Sequence, residues 1–249
     1  MAKEKKYKTA GILGGMGPLA TLELYRMILD YTDAEGDGDH IPVVISSQPE
    51  VPDRTAAILE GGESPLPYLI SRARMLQKAG VDFIGMPCVT AHYYLDKVAR
   101  EIEVEFINML EITADSINSL DKSIKNILVL STAGTLKAGI WKDALNKISS
   151  GRFIYPDNEK QEIVNRVIYG TEGVKGGNLK RSNERLEELL RGYKNKGIDG
   201  VLAGCTELGV LMQGGMTDLK IINPLFLLAI KIIEKAGAEL KKASYTDFF

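Results

Sequence analysis

The stretch Gly80-Val-Asp-Phe-Ile-Gly-Met-Pro-Cys-Val-Thr-Ala-His92 has an echo later in the chain, Gly197-Ile-Asp-Gly-Val-Leu-Ala-Gly-Cys-Thr-Glu-Leu-Gly209. In both, Gly is followed by an aliphatic residue and Asp, then by an apolar run of strand character. Cys stands eight positions after the Gly in each (88 − 80 and 205 − 197). Cys88 and Cys205 are the only cysteines, 117 positions apart (205 − 88). The repeat reaches further. Asn126-Ile-Leu-Val-Leu-Ser-Thr132 resembles Thr9-Ala-Gly-Ile-Leu-Gly-Gly15 in kind, at nearly the same shift. A chain built twice in this way folds as two similar halves. Its two thiols then stand at equivalent points and face each other across one site.

The length of 249 residues accommodates two such halves with a sizeable core. A net charge of −2 gives no reason to expect nucleic acid or an anionic membrane as partner. No apolar run reaches the ~18 residues of a membrane span. The basic start, Met1-Ala-Lys-Glu-Lys-Lys-Tyr-Lys8, leads into a strand and glycines rather than a signal-peptide core. The expectation is a cytoplasmic protein with reduced thiols. Two cysteines make no disulfide framework, and His40 and His92 alone offer no zinc-ligand spacing, so no metal is expected.

Taken in order, apolar runs at 9–15, 41–47, 81–86, 105–109, 126–132, 152–155, 198–203 and 219–223 read as strands. Helical spacing separates them: from Pro18 to Tyr31, up to Lys78, Thr90–Glu103, Glu111–Leu120, up to Ile148, Asn158–Ile168, Arg181–Lys196, and a long final helix Leu225–Lys242. Alternation of this kind argues for an α/β fold of two pseudosymmetric three-layer lobes. Each has a mostly parallel sheet flanked by helices, with the active site in the inter-lobe cleft. The expected division is 1–115 with 220–249 for the first lobe and 116–219 for the second.

Gly15-Met-Gly-Pro-Leu-Ala20 matches the dinucleotide pattern G-x-G-x-x-A after a strand. No acidic residue ends a second strand about 20 residues later, as ribose binding requires. Asp33 is near that distance but lies in a polar loop. The alternative is a tight turn whose amides bind a smaller anion such as a carboxylate. Arg54, in a proline-punctuated loop, reads either as a bidentate carboxylate clamp or as a solvated surface arginine. Thr132 and Thr135 offer hydroxyls at a strand-to-helix turn, where plain caps are also common. Lys175 lies in the glycine-rich loop Gly170-Thr-Glu-Gly-Val-Lys-Gly-Gly177.

A lone cysteine is often just a small buried hydrophobe. Two at the same point of a duplicated unit, each directly before a helix start, point to chemistry. Unpaired amides and the helix dipole there favour thiolate. Two thiols on opposite faces of a small substrate suit a two-base racemase. One thiolate removes the Cα proton and the opposing thiol protonates the other face. Donors at the turns would hold the carboxylate on which charge develops. No pyridoxal-phosphate lysine site is evident, so no cofactor is expected.

These segments resemble the aspartate/glutamate racemase family, and within it the cofactor-independent aspartate racemases, over essentially the whole chain. The resemblance rests on Gly11-Ile-Leu-Gly-Gly-Met-Gly-Pro-Leu-Ala-Thr21, Pro52-Asp-Arg-Thr55, Met86-Pro-Cys-Val-Thr-Ala-His92 and Ala203-Gly-Cys-Thr-Glu-Leu208. It implies a catalytic pair Cys88 and Cys205, a small acidic amino acid as substrate, and a homodimer. It further implies substrate contacts at Met16, Arg54, Val89, Thr90, Thr132, Thr135, Lys175 and Thr206. Arg54 would hold the side-chain carboxylate, Lys175 would sit in a covering loop, and Glu207 would orient the second thiol. One departure stands out. The family usually has Cys-Asn-Thr at the first motif, and here it is Cys88-Val89-Thr90. Valine offers no amide, which points to shifted or relaxed specificity. The superfamily also contains glutamate and hydantoin racemases, maleate isomerases with a nucleophilic cysteine, and arylmalonate decarboxylases with one cysteine of the pair. A non-catalytic amino-acid-binding protein of the same fold is a further alternative. A redox dithiol is disfavoured by the absence of C-x-x-C.

Overall fold

The short apolar runs become strands, and their order in the sheets shows how the duplication is built. The structure, a computed structural model, describes residues 6–120, 124–146, 148, 151–193, 196–212 and 216–241. Strands β1 (Ala10–Gly14), β2 (Val43–Ser47), β3 (Phe83–Gly85) and β4 (Glu105–Ile107) form one sheet in the order β2-β1-β3-β4. Strands β5 (Asn126–Leu130), β6 (Arg152–Ile154), β7 (Gly200–Ala203) and β8 (Lys220–Ile222) form a second, β6-β5-β7-β8. All six pairings among these strands are parallel. The central strands β1, β3 and β7 are buried throughout, as parallel strands covered on both faces must be.

In the first half the helices are α1 (Pro18–Tyr31), α2 (Arg54–Leu59), α3 (Leu66–Lys78), α4 (Leu95–Ala99) and α5 (Met109–Asn118). In the second they are α6 (Ala133–Lys137), α7 (Ile140–Leu145), α8 (Asn158–Ile168), α9 (Leu179–Arg191), α10 (Thr206–Leu211) and α11 (Pro224–Ala236).

The repeated Gly-x-Asp has a structural role in both halves. Gly80 and Gly197 take left-handed φ values of 77° and 66°, which lets the chain turn sharply into the next strand. The Asp82 carboxylate then accepts the Thr9 N–H at 2.6 Å, and the Asp82 N–H donates to the Thr9 carbonyl at 2.8 Å. Asp199 does the same for the second sheet. It accepts the N–H groups of Lys125 and Asn126 at 2.9 and 2.8 Å and donates to the Asn126 carbonyl at 2.9 Å. Each Asp pins the start of a cysteine-bearing strand to the first strand of its sheet. Asn108 and Asn223 are a further matched pair, capping α5 and α11 through their side chains.

Several expected boundaries move. Thr90–Glu103 is not one helix: a 3-10 turn at Thr90–Tyr94 precedes the short α4. The helix expected up to Ile148 is broken into α6 and α7 at Gly139, whose φ of 68° is left-handed. The last helix ends at Ala236, capped by left-handed Gly237. Its expected end at Lys242 lies outside the described residues, as do residues 194–195 within the expected Arg181–Lys196. Strand β8 pairs with β7, so the second sheet runs past residue 219. α11 then returns to pack against α1 and α5, with Tyr31 and Phe226 edge-to-face at 5.0 Å.

Parallel strands all point their C-terminal ends one way, and the order reverses between β1 and β3 and between β5 and β7. The turns after these four strands therefore border two crevices. They carry the glycine turn, Cys88, Thr132 and Cys205.

Candidate active site

The glycine turn after β1 is built for close packing. Gly15 has a φ of 91°, and a Cβ there would lie 2.1 Å from the Gln48 nitrogen. A Cβ on Gly14 would lie 2.4 Å from the Thr21 side chain. The Thr21 hydroxyl accepts the Gly15 N–H at 2.8 Å and donates to the Gly17 carbonyl at 3.0 Å. Among the amides of this turn, that of Gly15 is thus already taken.

Cys88 follows β3 and is buried. Its carbonyl is held by His92. The His92 Nε2 accepts the Met109 N–H at 3.2 Å, which places the proton on Nδ1, and Nδ1 donates to the Cys88 carbonyl at 2.9 Å. Burial pushes His92 from 6.5 down to about 4, so the ring is neutral at ordinary pH. The unfolded chain binds a proton near pH 6.5 that the folded chain refuses until about 4. Stability from this group is therefore full above pH 6.5 and is lost as pH falls toward 4, by about 3 kcal/mol. Urea titrations of wild type and His92→Gln between these pH values should show the wild type losing about that much more. Parallel curves would remove His92 from the account.

Cys205 is the N-cap of α10. Its Sγ donates to Glu207 Oε2 at 3.0 Å, and the Thr206 hydroxyl reaches the same oxygen at 3.2 Å. The thiolate expected at a helix start is not what this site favours. Burial raises the Cys205 pKa well above its ordinary value, and the neighbouring Glu207 charge raises it further. The nearby Lys175 and the Glu207 N–H at the start of α10 lower it without compensating. Glu207 Oε1 has no hydrogen-bond partner and lies 3.6 Å from Lys175 Nζ, a long ion pair.

Thr90, Thr132 and Thr135 form a closed set of hydroxyls. Thr90 lies 3.2 Å from Thr132 and 2.9 Å from Thr135, and Thr132 lies 3.0 Å from Thr135. Thr132 also caps α6 by accepting the Thr135 N–H. The set joins the two lobes, since Thr90 follows β3 and the other two follow β5. Val89 is buried in the same apolar cluster as Ile140 and Trp141.

Arg54 opens α2, whose N-cap is Asp53. It is not a solvated surface arginine: it is only 6% exposed. Nη1 donates to the carbonyls of Val51 and Pro52 at 3.1 and 3.0 Å, and Nη2 to the Met16 carbonyl at 2.8 Å. Nε has no partner. Burial alone would lower its pKa, but the adjoining Cys88 and Asp53 outweigh this and raise it. Lys175 lies on a 3-10 turn, Val174–Gly176, and donates to the same Met16 carbonyl at 3.2 Å. Its Nζ also sits 5.2 Å from the centre of the Tyr169 ring. The Tyr169 hydroxyl bonds Thr55 Oγ1 across the lobes at 3.0 Å.

Both cysteines and every expected binding residue except Thr135 line one cavity between the lobes. Thr135 sits behind Thr90 and Thr132. Asp53, Thr55 and Tyr169 line the cavity too; sequence reasoning singled out none of them. Asp53 and Thr55 flank Arg54 in the quoted motif, which was a usable signal. Tyr169 precedes the Lys175 loop with nothing to mark it. The cavity is closed down to about 10 Å³, room for one water at most. A ligand must part the residues around it. Outside lies a wider cavity of about 520 Å³.

Comparison with known proteins shows the family. The family model described as Asp/Glu/Hydantoin racemase matches residues 13–229. The chain is 28% identical over 217 residues to the broad-specificity amino-acid racemase RacX of Bacillus subtilis, covering 86% of this chain and 91% of that one. It resembles the structure of the Picrophilus torridus aspartate racemase with a TM-score of 0.84 at 34% identity, over 94% of this chain and 96% of that one. An aspartate racemase homologue from Pyrococcus horikoshii superposes with a TM-score of 0.70 at 26% identity, over 92% and 99% of the two chains. Among the described residues no helix is long and apolar enough to cross a membrane. Two duplicated parallel sheets, a cysteine from each beside one cavity, and these relatives lead to one conclusion: the chain belongs to the Asp/Glu/Hydantoin racemase family and is a racemase.

Proposed function

We propose that the protein interconverts the enantiomers of an acidic amino acid, aspartate first, with Cys88 and Cys205 as paired base and acid. The observation that carries this reading is the shared cavity. It holds one thiol from each lobe, hydroxyls for a carboxylate, and two cations. Cys205, beside Glu207, holds its proton, so it serves as the acid in the direction described first. Cys88 takes the Cα proton, and Cys205 delivers its own to the opposite face. The two thiols then exchange roles for the reverse direction. Charge that builds on the substrate carboxylate meets the Thr90 and Thr132 hydroxyls in a space almost free of water. Lys175 spends one of its N–H donors on Met16 and Arg54 leaves Nε unpaired, so both have donors for a second carboxylate. A homodimer is part of this reading and is checked by light scattering. Chiral chromatography after incubation with L-aspartate tests the activity: D-aspartate should accumulate to equal amounts, and its absence with aspartate and glutamate alike rejects the reading.

The pH dependence carries a sign. Activity needs one thiol protonated, so it is lost at high pH when Cys205 ionises. The two enantiomers have equal free energy, so kcat/KM must follow the same profile in both directions. Glu207→Gln removes the charge that raises Cys205 and should move the alkaline limb to lower pH for L and D substrates alike. An unmoved limb would detach Glu207 from the acid–base pair.

Val89 lines the cavity at the position where the resemblance implies an asparagine amide. Val89→Asn should raise aspartate turnover about tenfold or more. The same change buries an amide within an apolar cluster, at a cost of about 1–3 kcal/mol in stability. Unchanged turnover would mean that the amide has no part in recognising this substrate.

A further inference from the structure

The wider cavity outside the thiols is not used by the mechanism. At about 520 Å³ it has the size of a small-molecule site. It adjoins the catalytic cavity: Met16, Asp53, Arg54, Lys175 and Glu207 line both, and a ligand that parts them joins the two. The thiols and the threonines border only the inner one. A substrate with Cα between the thiols and its carboxylate on Thr90 and Thr132 therefore sends its side chain outward, past Met16 and Lys175.

What the side chain meets there is mostly apolar. Leu19, Pro49, Val51 and Val174 supply the outer walls. Beyond the Arg54 Nε and the remaining Lys175 N–H groups, the neck offers few free polar groups. Lys175 faces Glu207 and Met16, and Arg54 donates to three carbonyls. The Asp53 carboxylate is turned back on α2, where it accepts the Ala56 N–H at 2.8 Å. An aspartate side chain ends at the neck. A longer, unbranched apolar chain passes it and displaces water from those walls, and each buried methylene is worth about fourfold in affinity.

We propose that the outer cavity is a side-chain subsite, and that the enzyme also racemises amino acids with unbranched apolar side chains longer than that of aspartate, the methionine class. This rests on the racemase reading above.

The test is α-proton exchange in D2O, followed by NMR, with L-methionine, L-norleucine, L-alanine, L-lysine and L-aspartate in parallel. Methionine and norleucine should exchange at least tenfold faster than alanine in kcat/KM and within about tenfold of aspartate. Leu19→Trp fills the cavity from α1, and Pro49→Trp fills it from the facing loop. Each should lower the methionine-to-aspartate ratio at least tenfold. Exchange confined to aspartate overturns the subsite and leaves the racemase reading standing. Lysine exchanging tenfold faster than methionine overturns the apolar assignment in favour of a cationic side chain read by Asp53. Equal losses on both substrates in both variants overturn it as well. No exchange with any amino acid strikes the racemase reading itself, and the subsite with it.

Discussion

Cys88→Ser and Cys205→Ser should each lose racemisation by about a thousandfold or more in both directions. General acid–base groups contribute about 10²–10⁴ in rate. A serine hydroxyl neither ionises in the working range nor hands over a proton as readily as a thiol. Both directions fall together in each variant, because every turnover uses one group to remove a proton and the other to return one. The folds should survive. Both cysteines are 5% exposed, and the exchange of sulfur for oxygen barely changes volume. Chiral assays of each variant from both enantiomers, with unfolding curves beside them, check this. A variant that keeps activity within tenfold of wild type in both directions would remove its cysteine from the pair.

Arg54→Ala should hurt both stability and rate. The guanidinium gathers three carbonyls, from Met16, Val51 and Pro52, at the mouth of the cavity. Removing it leaves the Val51 and Pro52 carbonyls short of this donor, while Met16 keeps Lys175. Bonds to charged donors are worth about 1.5–3 kcal/mol, so a loss of about 3 kcal/mol in unfolding free energy is expected. Loss of the positive charge beside Cys88 should cost about 10²–10³ in kcat/KM, the scale seen when one electrostatic donor is removed. Arg54→Lys should recover little of either effect, because a single ammonium cannot span three carbonyls as the planar fork does. Urea unfolding and steady-state kinetics measure the two losses. Full recovery in Arg54→Lys would mean that charge alone matters there.

Much of the fold could be read from the chain because the duplication repeats side chains that do structural work. Gly80 with Asp82, and Gly197 with Asp199, mark the same turn and the same backbone latch in two places. The cysteines inherit their equivalence from those latches. What was hidden depends on neighbours distant in sequence. Arg54 looked like a loop residue because nothing nearby shows that the Met16 carbonyl, 38 positions away, receives it. Tyr169 meets Thr55 across 114 positions. The protonation of Cys205 was misjudged because a helix start was weighed without the burial and the Glu207 charge around it. The break between α6 and α7 was smoothed over, since apolar spacing continues across left-handed Gly139.

The two-base account is tested most directly by following deuterium from D2O into both enantiomers during the first few per cent of turnover, starting from L-aspartate and then from D-aspartate. Cys88 and Cys205 on opposite faces predict that the newly formed enantiomer carries deuterium at Cα from the earliest point, while the remaining starting enantiomer stays protonated. Deuterium appearing in the starting enantiomer as fast as in the product would contradict the account, because one group would then be removing and returning the proton on the same face.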